Sequence, residues 1–254
     1  MKRFKHSGAF GDLIYSLPTV KHFGGGEFYL HLNQIDWIGK HYYGSSPDPF
    51  HQGRMTEKDY DFMYDFMMEQ DYIDKFDTLD VKYTEITHDL DRFRRLFVGH
   101  PTNYIDIYNA TFNIYEDARQ RVNTEPWLTV HRPHEFTNPT CVINRSARWS
   151  HPDSLAGWTA LREQHEDVVF VGLPSEHTNF CEFTGWDVDY VETNTMLELA
   201  QIIAGAQAFA GNQSQCYALA VGLGVAKIDL ETRRDMPLER NECYFPQRTH
   251  IKYF

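Results

Sequence analysis

A chain of 254 residues that is 42% hydrophobic and 15% aromatic carries enough apolar mass for a real core, as one large α/β domain or two small ones. A net charge of −12 argues against broad nucleic-acid binding, although Arg92, Arg94, Arg95, Arg145 and Arg148 are candidates for a local basic groove. No apolar run approaches the roughly 18 residues of a membrane span, and the basic N-terminus lacks the apolar stretch of a signal peptide. Four scattered cysteines (Cys141, Cys181, Cys216 and Cys243) without a CxxC pair point to reduced thiols in a cytoplasmic protein, not to a zinc site.

Lys2 to His6 is the first expected strand, and it ends in His6-Ser7-Gly8-Ala9-Phe10-Gly11-Asp12. Leu13, Ile14, Leu17 and Val20 then recur at helical spacing, with Pro18 expected to kink the helix or shift its register. Phe28 to Leu32 is the next strand, after the Gly24-Gly25-Gly26 break. A glycine-bearing loop therefore sits at the carboxyl end of a strand, where open α/β sheets bind ligands. Gly8 and Gly11 do not complete a GxGxxG fingerprint, so a dinucleotide site is not supported.

Residues 34–54 read as a loop rich in rings (Trp37, His41, Tyr42, Tyr43, Phe50, His51), either an acceptor surface or a loop packed on itself. Glu57 to Gln70 is expected to be helical and Val81 to Thr87 extended. Asp89-Leu90-Asp91 and Asp187-Val188-Asp189 each offer the Asp-x-Asp that can hold a divalent ion, although such tripeptides are common by chance. Asn103 to Ile114 reads as a helix.

The prolines at 126, 133 and 139 mark residues 123–139 as the connection between two units, 1–130 and 131–254, with Trp127 to Val130 as a short strand. The last residues are expected to pack back on the first unit. His131 and His134 belong to this polar linker and have no matching metal ligands nearby. Thr140 to Asn144, Val168 to Val171 and Asp189 to Val191 read as strands, and Gly172 to Glu176 as a turn. Leu155 to His165 and Met196 to Ala204 read as helices, the latter capped by Asn194 or Thr195.

The most informative stretch is Ala206 to Glu231, a strand ending at Ala210, a polar turn Gly211-Asn212-Gln213-Ser214, a helix Gln215 to Gly222 and a strand Val225 to Leu230. A helix start leaves backbone N–H groups unpaired and carries roughly half a positive charge, so it attracts phosphate. Asn212 and Ser214 suit both helix capping and a ligand oxygen, so an inert capped helix and a phosphate turn both fit. The whole pattern calls for parallel sheets with helices on both faces.

The order of these motifs resembles glycosyltransferase family 9, the lipopolysaccharide heptosyltransferases. His6-Ser-Gly-Ala-Phe-Gly-Asp12-Leu-Ile-Tyr-Ser-Leu-Pro18 is similar to that family's N-terminal signature. Phe170-Val-Gly-Leu-Pro-Ser-Glu176 looks like its strand followed by G-x-x-x-E. Leu197 through Ala206, Gly211-Asn212-Gln213-Ser214 and Gly224 resemble its C-terminal motif.

The resemblance implies a GT-B-like α/β fold, two Rossmann-type parallel-sheet domains facing a cleft, here with a reduced N-terminal half. It implies an inverting, metal-independent transferase with no cofactor, a nucleotide-diphosphate sugar serving as co-substrate. In that scheme Asp12 is the general base, with an N-cap as the rival reading. Gly11, Arg145, Arg148, Gly172, Glu176, Asn212, Gln213, Ser214 and Gln215 surround the donor. Gln215 stands where the family carries a small glycine, and Arg145 or Arg148 stands in for a family lysine. The implied acceptor is a glycan, a lipid-linked sugar or a modified DNA base. The rival functions are a nucleotide-sugar epimerase or hydrolase and a degenerate nucleotide-binding module.

Overall fold

The computed structural model describes residues 1–33, 55–95, 104–114, 125–147, 150–232 and 251–254. The first unit contains β1 (Arg3–His6), α1 (Phe10–His22), β2 (Gly26–Leu30), α2 (Glu57–Met68), β3 (Ile73–Thr78), β4 (His88–Asp89), a 3-10 segment (Leu90–Arg95) and α3 (Tyr104–Thr111). Its strands form a parallel sheet in the order β3-β2-β1-β4, with Phe4 beside Phe28 in register.

The second unit contains β5 (Thr140–Asn144), a 3-10 turn (Pro152–Ser154), α4 (Leu155–Arg162), β6 (Asp167–Phe170), α5 (Pro174–Thr184), β7 (Asp189–Tyr190) and α6 (Met196–Gly205). It continues with β8 (Ala208–Gly211), α7 (Gln215–Leu223), β9 (Ile228–Leu230) and β10 (Ile251–Tyr253). Its six described strands are all parallel, in the order β10-β9-β8-β5-β6-β7. β5 and β8 are wholly buried, as strands covered on both faces are.

Four expectations need correction. Val81 to Thr87 is no strand, since residues 81–83 form a turn. The strand is β3, an edge strand whose Asp74, Lys75 and Asp77 hide the inward Ile73 and Phe76. Trp127 to Val130 joins no described ladder. The Gly172 to Glu176 turn runs on into α5, with Pro174 in the first helical position, where a missing N–H costs nothing. Residues 251–254 extend the second sheet, and Phe254 packs edge-on against Trp158, so they do not return to the first unit.

Pro18 lies inside α1 without ending it. A proline there removes the N–H that would bond the carbonyl of Ile14. The indole Nε1 of Trp127 supplies the missing donor, at 3.2 Å from Ile14 O. α1 in turn packs on α7, a helix buried on every side. One apolar core runs through both units, from Phe4, Leu13 and Phe66 to Leu199, Phe209 and Leu219.

Candidate active site

The first turn leaves β1 at His6 and enters α1 through Ala9, whose φ of +43° is a left-handed value that an L side chain rarely adopts. Ala9 is the N-cap, so the N-cap reading of Asp12 does not hold: Asp12 is the third residue of the helix. A side chain added at Gly11 would meet no described residue within 4 Å.

The Asp12 carboxylate is engaged by Arg94, Nη1 to Oδ2 at 3.1 Å, with the two side chains only 15% and 17% exposed. Arg94 Nη2 also donates to the carbonyl of Gly8 at 3.4 Å. Behind them lies Asp91, 3.5 Å from Arg94 Nε and 2.9 Å from Lys5 Nζ, and accepting the Ser7 N–H at 3.2 Å. Burial disfavours ionisation of Asp91, but the charges of His6 (protonated where Asp91 titrates), Arg94 and Lys5, with a hydrogen bond from Ser7, outweigh it and hold its carboxyl at about 2.

His6 is fully buried, and desolvation, helped by Arg94 and Lys5 and opposed by Asp91, drops its imidazole to about 3. Its Nδ1 accepts the Gly8 N–H at 3.1 Å, which assigns the proton to Nε2. Nε2 therefore donates to the Tyr108 hydroxyl at 2.8 Å, and that hydroxyl donates to the Asp12 carbonyl at 3.0 Å. The helix start is thus fixed twice, by Tyr108 on its backbone and by Arg94 on its carboxylate.

The second set of turns leaves β5, β6, β8 and β9 at their carboxyl ends. Ser214 is the N-cap of α7, its Oγ accepting the Tyr217 N–H at 3.3 Å. The N–H groups of Gln215 and Cys216, in the first two helical positions, have no carbonyl a turn behind them. Gln213, Ser214 and Gln215 are half-buried.

Asn212, expected at a ligand oxygen, is fully buried and faces the neighbouring loop instead. Its Oδ1 accepts both the N–H and the hydroxyl of Ser146 at 2.9 and 3.1 Å, and its Nδ2 donates to Ser146 O at 2.8 Å. Arg145 is likewise committed. Its Nε and Nη2 grip Glu231 at 2.8 and 3.1 Å, Nη2 also reaches His151 O at 3.0 Å, and the guanidinium lies 4.0 Å from the Phe183 ring centroid.

Glu231 is itself buried and further accepts the His151 N–H at 2.8 Å and the Ser154 hydroxyl at 2.6 Å. Gly172 has a φ of +124°, and any Cβ there would run into the Asn144 amide and the Glu176 carboxylate. Burial raises the Glu176 carboxyl, while the N–H groups of Leu173 and Ala147 and the Asn144 amide pull it partly back. Arg148 and the ring-bearing loop at 34–54 lie outside the described residues.

Of the other candidates, Asp89 and Asp91 both pair with Lys5, Asp187 and Asp189 are exposed, and His131 pairs with Glu69 at 2.9 Å. Among the described residues no group of three or more His, Cys, Asp and Glu could hold a metal ion, and no helix is long and apolar enough to cross a membrane. Arg94, seen in the sequence only as a groove candidate, is a partner of Asp12; Tyr108 and Glu231 carried no signal at all.

No protein-family profile and no curated protein matches the chain. Solved structures do. A glycosyl transferase family 9 protein from Veillonella parvula superposes with a TM-score of 0.65 at 11% identity, over 100% of this chain and 85% of that one. The E. coli ADP-heptose LPS heptosyltransferase II gives 0.56 at 12% identity, over 100% and 90%. The dodecameric, iron-containing heptosyltransferase TibC in complex with ADP-D-β-D-heptose gives 0.53 at 13% identity, over 96% of this chain and 61% of that one. Two parallel sheets with the candidate turns at their carboxyl ends, superposing on these proteins along essentially the whole chain, give this protein the GT-B-like fold of the family 9 glycosyltransferases.

Proposed function

We propose that the chain is an inverting, metal-independent glycosyltransferase that moves a sugar from a nucleotide-diphosphate donor to an acceptor hydroxyl. The observation that carries this reading is one juxtaposition. The helices that start at the two singled-out turns, α1 with Asp12 and α7 with its Ser214 cap, pack against each other and each begins at the carboxyl end of a parallel strand. The fold shared with heptosyltransferases, one of them holding ADP-heptose, supports a nucleotide-sugar donor.

In this reading Asp12 takes the proton of the acceptor hydroxyl as the hydroxyl oxygen bonds the anomeric carbon from the face opposite the leaving diphosphate. The bond from that carbon to the diphosphate oxygen breaks, and its electrons leave with the diphosphate. The N–H groups of Gln215 and Cys216 and the positive end of α7 meet that charge, which is why no divalent ion is needed. Arg145 and Asn212 shape the donor turns from behind.

A thermal-shift screen across nucleotide sugars, followed by a transfer assay with EDTA present, tests the proposal. Asp12→Asn is expected to keep the donor-dependent stabilisation and lose at least about 100-fold in kcat, the lower range for a general base. Full transfer by this variant would remove Asp12 from the role. Stabilisation without transfer by the wild type would favour a degenerate binding module, and donor breakdown without acceptor a hydrolase or epimerase.

A further inference from the structure

We propose that Arg94 is a positioning residue for the Asp12 carboxylate, held to that task by Asp91. Its catalytic side rests on the transferase reading above. Arg94 is held by two hydrogen bonds, Nη1 to Asp12 and Nη2 to the Gly8 carbonyl, and by an ion pair with Asp91 3.5 Å from Nε, with the guanidinium 4.5 Å from the Phe93 ring centroid. Asp91 is fixed in turn by Lys5 and the Ser7 N–H.

An exposed ion pair would orient nothing, because two long side chains sample many geometries in water. Here Asp12, Asp91 and Arg94 are at most 17% exposed, and the planar guanidinium presents its donors in a fixed fork. A base must point its lone pair along the line of proton transfer to within a narrow cone. A guanidinium anchored elsewhere and bonded to Oδ2 supplies that orientation. Asp89-Leu90-Asp91 thereby finds an occupation: both carboxylates bond Lys5, and Asp91 aims Arg94.

Among the described residues, the charged and titratable groups around Asp12 include Arg94 and Asp91 from the 3-10 segment, Lys5 and His6 from β1, and Tyr108 from α3. Tyr108 is fully buried and stays protonated, and Arg94 is a cation in direct contact. Removing it must raise the acid limb that Asp12 imposes on kcat.

The test compares wild type, R94Q, R94K and D91N in two ways. Donor affinity and the pH profile of kcat are measured first. The Asp12 carboxyl is then titrated by 13C NMR on aspartate-labelled protein, its resonance assigned by its absence in D12N. R94Q is expected to lower kcat about 100-fold with donor Kd within twofold, and to move both the acid limb and the NMR midpoint upward. R94K is expected to restore the midpoint and part of kcat, and D91N to give a smaller loss in the same direction. A midpoint unmoved by R94Q, or a kcat within about threefold of wild type, overturns the proposal, as does an equal loss of donor affinity. Wild-type protein that transfers no sugar but shows the shifted midpoint in R94Q would fault the transferase reading and uphold the positioning one. Should R94Q fail to fold, the same two readings on D91N decide.

Discussion

His6 makes the first turn sensitive to acid. Its imidazole titrates near 3 when folded and near 6.5 when free, so below about 6.5 the unfolded chain binds a proton that the folded one refuses. Its drag on stability is absent above pH 6.5 and grows as pH falls toward 3. Asp91 acts in the same direction lower down: its stabilisation is full above 3.8 and lost as pH falls through about 2. Denaturant melts of the wild type should therefore show stability falling steadily from pH 6.5 to 4, and His6→Gln should flatten that slope while costing stability at pH 7. A wild-type slope that His6→Gln leaves intact would show that other groups carry it. At Arg145, by contrast, the acidic partner Glu231 is what keeps a buried cation tolerable, since an unpaired charge in that position is costly.

Between elements, the clearest dependence is that of α1 on Trp127. Pro18 strips the Ile14 carbonyl of its helical donor, and the indole restores one. Trp127→Phe should cost about 1–3 kcal/mol for the orphaned carbonyl, beyond any loss of packing. In a Pro18→Ala background the residue-18 N–H reclaims Ile14, and the same change should cost measurably less. The coupling is read from a double-mutant cycle by urea denaturation, and additive losses would refute it. Neither partner advertises this bond in the sequence, because it joins residues 113 apart. What was legible obeys local rules: Cys141, Val142 and Ile143 mark β5, and Thr195 and Ser214 cap their helices as their residue types suggest. β3 and α5 were hidden because their apolar residues are diluted by charge. Asp12 was legible as a candidate through the family resemblance of its glycine-flanked turn. Its partners Arg94 and Tyr108 were not, since only sheet closure brings residues 82 and 96 positions away beside it.

Across the whole molecule, the connecting segment is stitched to both units. Gln70 exchanges two hydrogen bonds with Thr129, at 2.9 and 3.2 Å, and Tyr72 donates to Trp127 O at 2.8 Å. On the other side Trp127 and Leu128 donate to Gly222 O, and His134 donates to Gln201 O. With a single core also shared between the units, unfolding should be one cooperative event, with circular dichroism and tryptophan fluorescence giving coincident curves in urea. Two separated transitions would mean that the units unfold independently. The Asn212–Ser146 pairing has a different kind of consequence, in the timing of ligand capture. Because the loops after β5 and β8 are already joined by three hydrogen bonds, the donor proposed above would find its receptor assembled and be spared the entropy of ordering two free loops. Association would then be limited by diffusion and docking, not by loop rearrangement, and relatives lacking this brace would capture the same donor more slowly.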